Sequence, residues 1–227
     1  MKSRAFNQYL ELLATSGIEE IKKTTTEETI TDIGVTETTT EQDPVAFLKS
    51  REETCRSCTK CVLHRDRINS VYGEGNPRAR MMIIGEAPGR DENLKGKPFV
   101  GRAGQLLTKM LQAINIERDE VYIANTVKCQ PPRNRNPLPD EVAACIPYLK
   151  EQIEVIKPDL IMLLGKVAAS SILGANDSMG NLREGTYEFQ GIPTYVTYHP
   201  AALLYSPKLK RFAWEDLQKI RDIYNAK

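Results

Sequence analysis

The stretch GEAPGRDEN (85–93) grows out of an apolar run, RMMIIG (80–85), and leads into GKPFVGRAG. Two glycines, a proline and three acidic side chains at the end of such a run suggest the mouth of an active site. Glycines let the backbone approach a ligand closely, and carboxylates stand beside it. The stretch has no lysine where a phosphate-cradling loop requires one, and its glycines lack the spacing of a dinucleotide fingerprint. Its ligand is therefore not an ordinary nucleotide phosphate.

The cysteines form the second constellation. CRSCTKC holds Cys55, Cys58 and Cys61, Cys129 closes NTVKC, and Cys145 lies in DEVAAC. Thiolates two residues apart can grip one metal centre, and two distant ones can complete a four-sulfur site. Isolated cysteines are commonly plain buried thiols. Three within seven residues fit the spacing of a metal site better. Spacing admits zinc and an iron–sulfur cluster equally, and leaves open which two of the three N-terminal cysteines bind.

These residues need elements to position them. The runs RMMIIG (80–85), VYIANT (121–126) and DLIMLLG (159–165) are short, rich in branched side chains and bounded by turn signals, which predicts strands. Between them, 102–114 carries Leu106, Leu107, Met110 and Leu111 on one helical face, and about 140–156 also reads as helix. Residues 166–173 read as a helix, 186–198 as a hairpin-like pair, and about 211–225 as a closing helix. Strands separated by helices imply crossovers and an α/β sandwich of three layers. Ligands of such sheets bind beyond the carboxyl ends of the strands. Residues 85–92, Asn125 and His199 all fall there.

Composition sets the outer bounds. The chain of 227 residues is 41% hydrophobic and 27% charged, which suits one globular domain plus an appendage. No apolar stretch approaches the roughly 20 residues of a membrane span. The N-terminus MKSRAFNQYLELLATSG is too polar for a secretory signal, so a cytoplasmic protein is expected, with no membrane partner. Five cysteines in that setting argue for metal or thiol chemistry over disulfides. The net charge of +1 hides an asymmetry: residues 24–43 carry −6 with nine threonines, residues 1–23 carry +1, and the remainder +6. The expected organisation is a short, helix-like element over 1–23, a disordered acidic linker over 24–44, and one domain over 45–227. Phe6, Tyr9, Leu10, Leu13 and Ile21 give the first element an apolar side suited to docking a repair or replication partner.

The series CTKCVLHRDRINSVYGEGNP, GEAPGRDENLKGKPFVGRAGQLL, VYIANTVKCQPPRNRNPLPDE and YHPAALL resembles the family 4, iron–sulfur uracil-DNA glycosylases over about 54–226. The resemblance implies a three-layer α/β/α sandwich with a central, mainly parallel four-stranded sheet. It implies removal of uracil from DNA, leaving an abasic site, by a monomeric, prokaryotic-type enzyme acting at the nucleoid. It also implies a 4Fe-4S cluster held by Cys58, Cys61, Cys129 and Cys145. Cys61 is preferred to Cys55 because the family's C-x-x-C pattern starts at Cys58, and Cys55 is then a spare or rival ligand.

Breaking the glycosidic bond of deoxyuridine requires the base to be extruded, read at its edge, and stabilised as negative charge develops on it. The resemblance places Phe99 on the face of the ring, Asn125 at O4 and N3–H, His199 at O2, and Glu86 and Ala87 in the turn against the base. Side-chain chemistry supports the first three. An aromatic face stacks on a base, one amide supplies both donor and acceptor, and an imidazole can donate where charge accumulates. Taken singly, each has an ordinary reading: a core aromatic, a turn-forming amide, a structural histidine. Their conjunction with the glycine turn points to a site. His64 reads as a surface residue. Better-known glycosylases carry an aspartate where Ala87 stands, so Glu86 is the first candidate to orient a water, ahead of Glu92.

Arg133 and Arg135 in PPRNRNP, and Lys208, Lys210 and Arg211 in SPKLKRF, are the candidates for DNA phosphates. Leu203 is the candidate wedge for the gap left by the flipped base. No motif places a lysine for a Schiff base, so strand cleavage is not expected. The competing readings are a non-catalytic cluster-bearing DNA-binding module and a zinc-dependent nucleotide hydrolase.

Overall fold

The structure, a computed structural model, describes residues 43–226. The element expected over 1–23 and nearly all of the linker expected over 24–44 lie outside the described residues. At the end of that segment Asp43 accepts from the amides of Val45 and Ala46, both at 3.3 Å, and so caps helix α1 (Pro44–Arg56). Proline at the first helical position sacrifices no hydrogen bond there. The helix therefore opens at Pro44.

Six strands follow: β1 (Glu74–Gly75), β2 (Met81–Gly85), β3 (Tyr122–Asn125), β4 (Leu160–Leu164), β5 (Tyr187–Phe189) and β6 (Ile192–Thr197). They form one sheet in the order β1-β3-β2-β4-β6-β5. The middle four are parallel. β1 and β5 add antiparallel edges, so the sheet is mixed and wider than the four strands expected. β5 and β6 are joined through Gln190 (φ 52) and Gly191 (φ 78). Two successive positive φ angles fit a turn whose twist suits a two-residue hairpin.

The remaining helices are α2 (Arg90–Lys95), α3 (Arg102–Gln112), α4 (Pro139–Ile156), α5 (Gly165–Leu173), α6 (Met179–Glu184), α7 (Pro200–Tyr205) and α8 (Lys210–Ala226). Every residue of β2, β3 and β4 is buried. That explains why their sequences are continuous apolar runs: a parallel sheet is covered on both faces. Met82, Ile84, Ile161 and Leu163 face one side, with Leu48 of α1, Leu149 of α4 and Ala169 of α5. Met81, Ile83, Leu160 and Met162 face the other, with Leu107 and Leu111 of α3 and Leu217 of α8. Each such aliphatic side chain contributes roughly 1.5–3 kcal/mol on burial. The result is the three-layer α/β/α sandwich. Among the described residues no helix is long and apolar enough to cross a membrane.

Candidate active site

Glu86, Ala87, Phe99, Asn125 and His199 line one cleft of about 310 Å³ at the carboxyl ends of the parallel strands. The sheet order brings them together. β2 pairs with β3 in parallel, so Gly85 lies opposite Asn125 and both strands end at the same height. β6 ends beside them, and His199 follows it as the N-cap of α7.

Gly85 is fixed by crowding. A Cβ there would lie 2.5 Å from Oδ1 of Asn125 and 2.6 Å from Cζ of Phe99. Asn125 is 1% exposed, and its Oδ1 is buried with no hydrogen-bond partner. Such an orphan acceptor costs about 1–3 kcal/mol unless something satisfies it. Among the described residues it has no N–H to accept.

His199 is held in one tautomer. Its Nδ1 accepts the amide of Ala201 at 3.1 Å, so Nδ1 carries no proton and Nε2 must carry it. Burial lowers the ring's pKa to about 4, with the Glu92 carboxylate opposing that shift weakly. Near neutral pH the residue is an uncharged donor through Nε2–H. Its ring stands against Phe99, with centroids 5.6 Å apart and planes inclined by 35°.

Phe99 takes a positive φ of 51°, which an L residue adopts at a cost of about 1–3 kcal/mol. Two features hold it there. One carboxylate oxygen of Glu92 accepts from the amides of Val100 and Gly101, both at 2.9 Å, while the other accepts from Gly89 at 3.1 Å. Gly104 packs so close that a Cβ would fall 1.8 Å from the Phe99 carbonyl oxygen. Glu92 is therefore the clamp between the glycine turn and the Phe99 loop, and its oxygens are engaged. Glu86 has no such duty; burial raises its carboxyl above the ordinary range.

The candidates for DNA contact divide. Arg133, Lys208, Lys210 and Arg211 are exposed. Arg133 (φ 56) and Asn134 (φ 54) form a strained turn, and Asn134 lines the cleft. Arg135 also lines the cleft, but it is paired with Glu141 through contacts of 2.8 and 2.6 Å. That pairing holds the Glu141 carboxyl below the usual range, and Glu141 in turn accepts the Leu138 amide at the start of α4. Arg135 thus braces the loop as well as facing the cleft. Leu203 requires a correction: it is 2% exposed and packs in the core with Phe99 and Leu217. The phase of α7 turns it inward, and leaves Leu204 (38%) and Tyr205 (90%) on the surface.

All five cysteines line a second pocket. Cys55, Cys129 and Cys145 are buried, and Cys58 and Cys61 partly so. The Cys129 sulfur accepts from Arg67 at 3.5 Å, and the Cys145 sulfur accepts from the amide of Lys128 at 3.2 Å. Burial pushes the Cys145 thiol up to about 12 and the Cys55 thiol up to about 11. Among the described residues no group of three or more His, Cys, Asp or Glu is arranged to hold a metal ion. Among the described residues the lining nevertheless contains soft sulfur, three Lys or Arg side chains and no carboxylate. That donor set fits an anionic iron–sulfur cluster, whose sulfurs accept N–H bonds. His64 also lines this pocket, its Nδ1 2.7 Å from the Cys61 carbonyl oxygen, which departs from its expected place on the open surface.

The sequence reading did not single out Asn134, which sits in the PPRNRNP segment read for its arginines, or Lys128, which is buried one residue before Cys129.

Comparison with known proteins agrees with this geometry. The model of the Uracil DNA glycosylase superfamily matches residues 72–218. The chain is 45% identical over 185 residues to a "Type-4 uracil-DNA glycosylase" of Sulfurisphaera tokodaii, covering 78% of this chain and 84% of the relative. It is 44% identical to proteins of the same name from Archaeoglobus fulgidus (75% and 90% covered) and Saccharolobus solfataricus (76% and 84% covered). The chain therefore belongs to the type-4 uracil-DNA glycosylases of that superfamily.

Proposed function

We infer that the chain removes uracil from DNA by hydrolysing the N-glycosidic bond of a flipped-out deoxyuridine, leaving an abasic site. The observation that carries this reading is the orphan Oδ1 of Asn125 in the same cleft as a histidine fixed as a neutral Nε2–H donor. Oδ1 takes the uracil N3–H while the amide nitrogen donates to O4. Cytosine reverses that pattern, with an acceptor at N3 and a donor at C4, and meets like against like. Phe99 stacks on the base, and the backbone at Glu86 and Ala87 closes against its edge.

As the C1′–N1 bond breaks, the electron pair passes to the uracil, and charge collects on O2. Nε2–H of His199 strengthens its hydrogen bond there while the ring stays neutral. Preorganised donors of this kind are worth about 2.7–4 kcal/mol. The sugar, left cationic, is attacked by a water, whose proton passes to a base. Glu86 is the carboxylate assigned to orient that water, because the oxygens of Glu92 are occupied by three amides. Among the described residues no lysine lines the cleft, and this reading takes the enzyme as a monofunctional glycosylase without a Schiff base.

Cys58, Cys61, Cys129 and Cys145 would hold a 4Fe-4S cluster. N–H bonds to the sulfurs of Cys129 and Cys145 support two of these assignments. When bound, the cluster ties the segment before β2 to the loop and helix after β3, and its role in this reading is structural. Arg133, Lys208, Lys210 and Arg211 would meet phosphates, and Leu204 with Tyr205 replaces Leu203 as the wedge beside the flipped base.

The reading is tested by incubating the protein with oligonucleotides carrying one uracil or one cytosine. Free uracil and an alkali-labile abasic site, with no strand break before alkali and no cytosine released, are expected. Strand cleavage without alkali, or equal release of cytosine, contradicts it.

A further inference from the structure

Lys128 is 0% exposed, and among the described residues its ammonium is hydrogen-bonded only to uncharged oxygens. Nζ donates to the carbonyl oxygen of Asn125 at 3.0 Å and to Oε1 of Gln152 at 2.6 Å, and lies 5.6 Å from the centre of the Tyr72 ring. Gln152 is aimed in turn, donating to the Tyr72 carbonyl at 3.0 Å and to the Tyr122 hydroxyl at 3.2 Å. Burying a cation is expensive, even at the edge of a cysteine pocket suited to an anionic cluster, and a methionine would fill the same space without that cost. Packing therefore does not account for a lysine here.

The residue also touches the cysteine pocket. Its amide donates to the Cys145 sulfur at 3.2 Å, and its carbonyl accepts from Val71 at 2.7 Å. Its neighbour in the chain is Cys129. One residue thus binds the cysteine cage through its backbone and the end of β3 through its side chain. Asn125 is the last residue of β3, and the backbone bonds that continue beyond it run from the amides of Thr126 and Val127 to the carbonyls of Gly85 and Glu86, so they do not engage the Asn125 carbonyl that Lys128 holds.

We propose that Lys128 is a positioning residue for uracil recognition. The cysteine cage anchors its backbone, and its ammonium fixes the carbonyl of Asn125, so that the Asn125 amide faces the base in one orientation. This rests on the reading of Asn125 as the residue that binds uracil. Lys128 makes no contact with the base. It sets the angle of the residue that does, and thereby joins the cage to the cleft.

The test is a double-mutant cycle on the full-length, cluster-loaded protein. The dissociation constant of free uracil is measured by calorimetry, with KM and kcat on a uracil-containing oligonucleotide and iron content alongside. Lys128→Met is expected to weaken uracil binding about tenfold and to raise KM more than it lowers kcat, with iron content unchanged. On an Asn125→Ala background it should cost nothing further, because the group it positions is gone. Wild-type uracil affinity in Lys128→Met, or full additivity with Asn125→Ala, overturns the proposal while leaving the glycosylase reading intact. If Asn125→Ala itself binds uracil like wild type, the reading beneath the proposal fails, and the proposal with it. Should Lys128→Met not fold or not retain iron, Gln152→Met is read in its place. It removes one of the two oxygens that aim the ammonium and should weaken uracil binding about threefold, again only when Asn125 is present. No change overturns the proposal.

Discussion

The amide of Ala201 donates to Nδ1 of His199 at 3.1 Å, and this bond decides what the imidazole can do. With Nδ1 accepting, the proton sits on Nε2, on the side of the ring left for a ligand. Because His199 is itself the N-cap of α7, the helix start both fixes the tautomer and orients the ring.

The pH dependence follows with a definite sign. The folded ring has its pKa lowered from 6.5 to about 4 by burial, so below about 6.5 the unfolded chain takes up a proton that the folded one refuses. The stability contributed by the neutral ring is complete above that value and is lost as pH falls towards about 4. Melting temperatures of wild type and His199→Gln should therefore converge, or cross, on acidification through that window. A constant difference between them would contradict the assignment.

Gly85→Ala places a methyl 2.5 Å from the Asn125 oxygen and 2.6 Å from the Phe99 ring. Both groups must move, and both are the ones proposed to hold the base. Overpacking of this kind costs about 1–3 kcal/mol of stability. The loss of uracil release should exceed that of stability, and denaturation measured beside single-turnover rates will separate the two.

Glu92→Ala removes the acceptor for the amides of Gly89, Val100 and Gly101. The Phe99 loop then lacks the clamp that sustains its positive φ. A stability loss of about 1–3 kcal/mol is expected for the unpaired amides, with a raised KM from the loosened ring. Glu92→Gln, which keeps an accepting oxygen, should recover part of both.

The two neighbouring leucines of α7 should respond in opposite ways. Leu203→Ala opens a core cavity and should lower stability by about 2–5 kcal/mol with little direct effect on DNA affinity. Leu204→Ala and Tyr205→Ala should leave stability within about 0.5 kcal/mol. They should weaken activity on duplex DNA more than on single strands, where no stacked gap needs filling. Thermal melts and parallel assays on the two substrates decide this.

For the cysteine pocket, Cys129→Ser and Cys145→Ser should lose iron and the visible absorption of the cluster, with a lowered melting temperature. Cys55→Ser should retain both. Iron analysis of the three variants checks the ligand set, and loss of iron from Cys55→Ser alone would exchange Cys55 for one of the assigned ligands.

The sheet's centre was legible because β2, β3 and β4 are buried on both faces and so are written as continuous runs of branched residues. Strand β1 was not, since two residues, Glu74 and Gly75, carry no periodicity. Asn125 and His199 were legible because each stands at the carboxyl end of a strand or just beyond it, whereas Phe99 lies past a helix that follows β2 and was named only through the resemblance. The burial of Leu203 was not legible: a step of one position turns a helical side chain through about 100°, and the sequence YHPAALL does not state which leucine faces the core. Glu92 was read as an alternative to Glu86, because its true partners, Val100 and Gly101, join it only through the fold. Lys128 was hidden for the opposite reason. A lysine is ordinarily a surface residue, and nothing local marks this one as buried.

The central claim is that His199 stabilises the departing uracil as a neutral donor. The most direct test is the single-turnover rate of uracil release from a uracil-containing oligonucleotide, wild type against His199→Ala, with DNA binding and iron content measured on the same samples. The account predicts release by wild type and a rate at least about 100-fold lower in the variant, at similar DNA affinity and equal iron. An iron-loaded wild type that binds the DNA but releases nothing would contradict it, as would a His199→Ala variant that releases uracil at the wild-type rate.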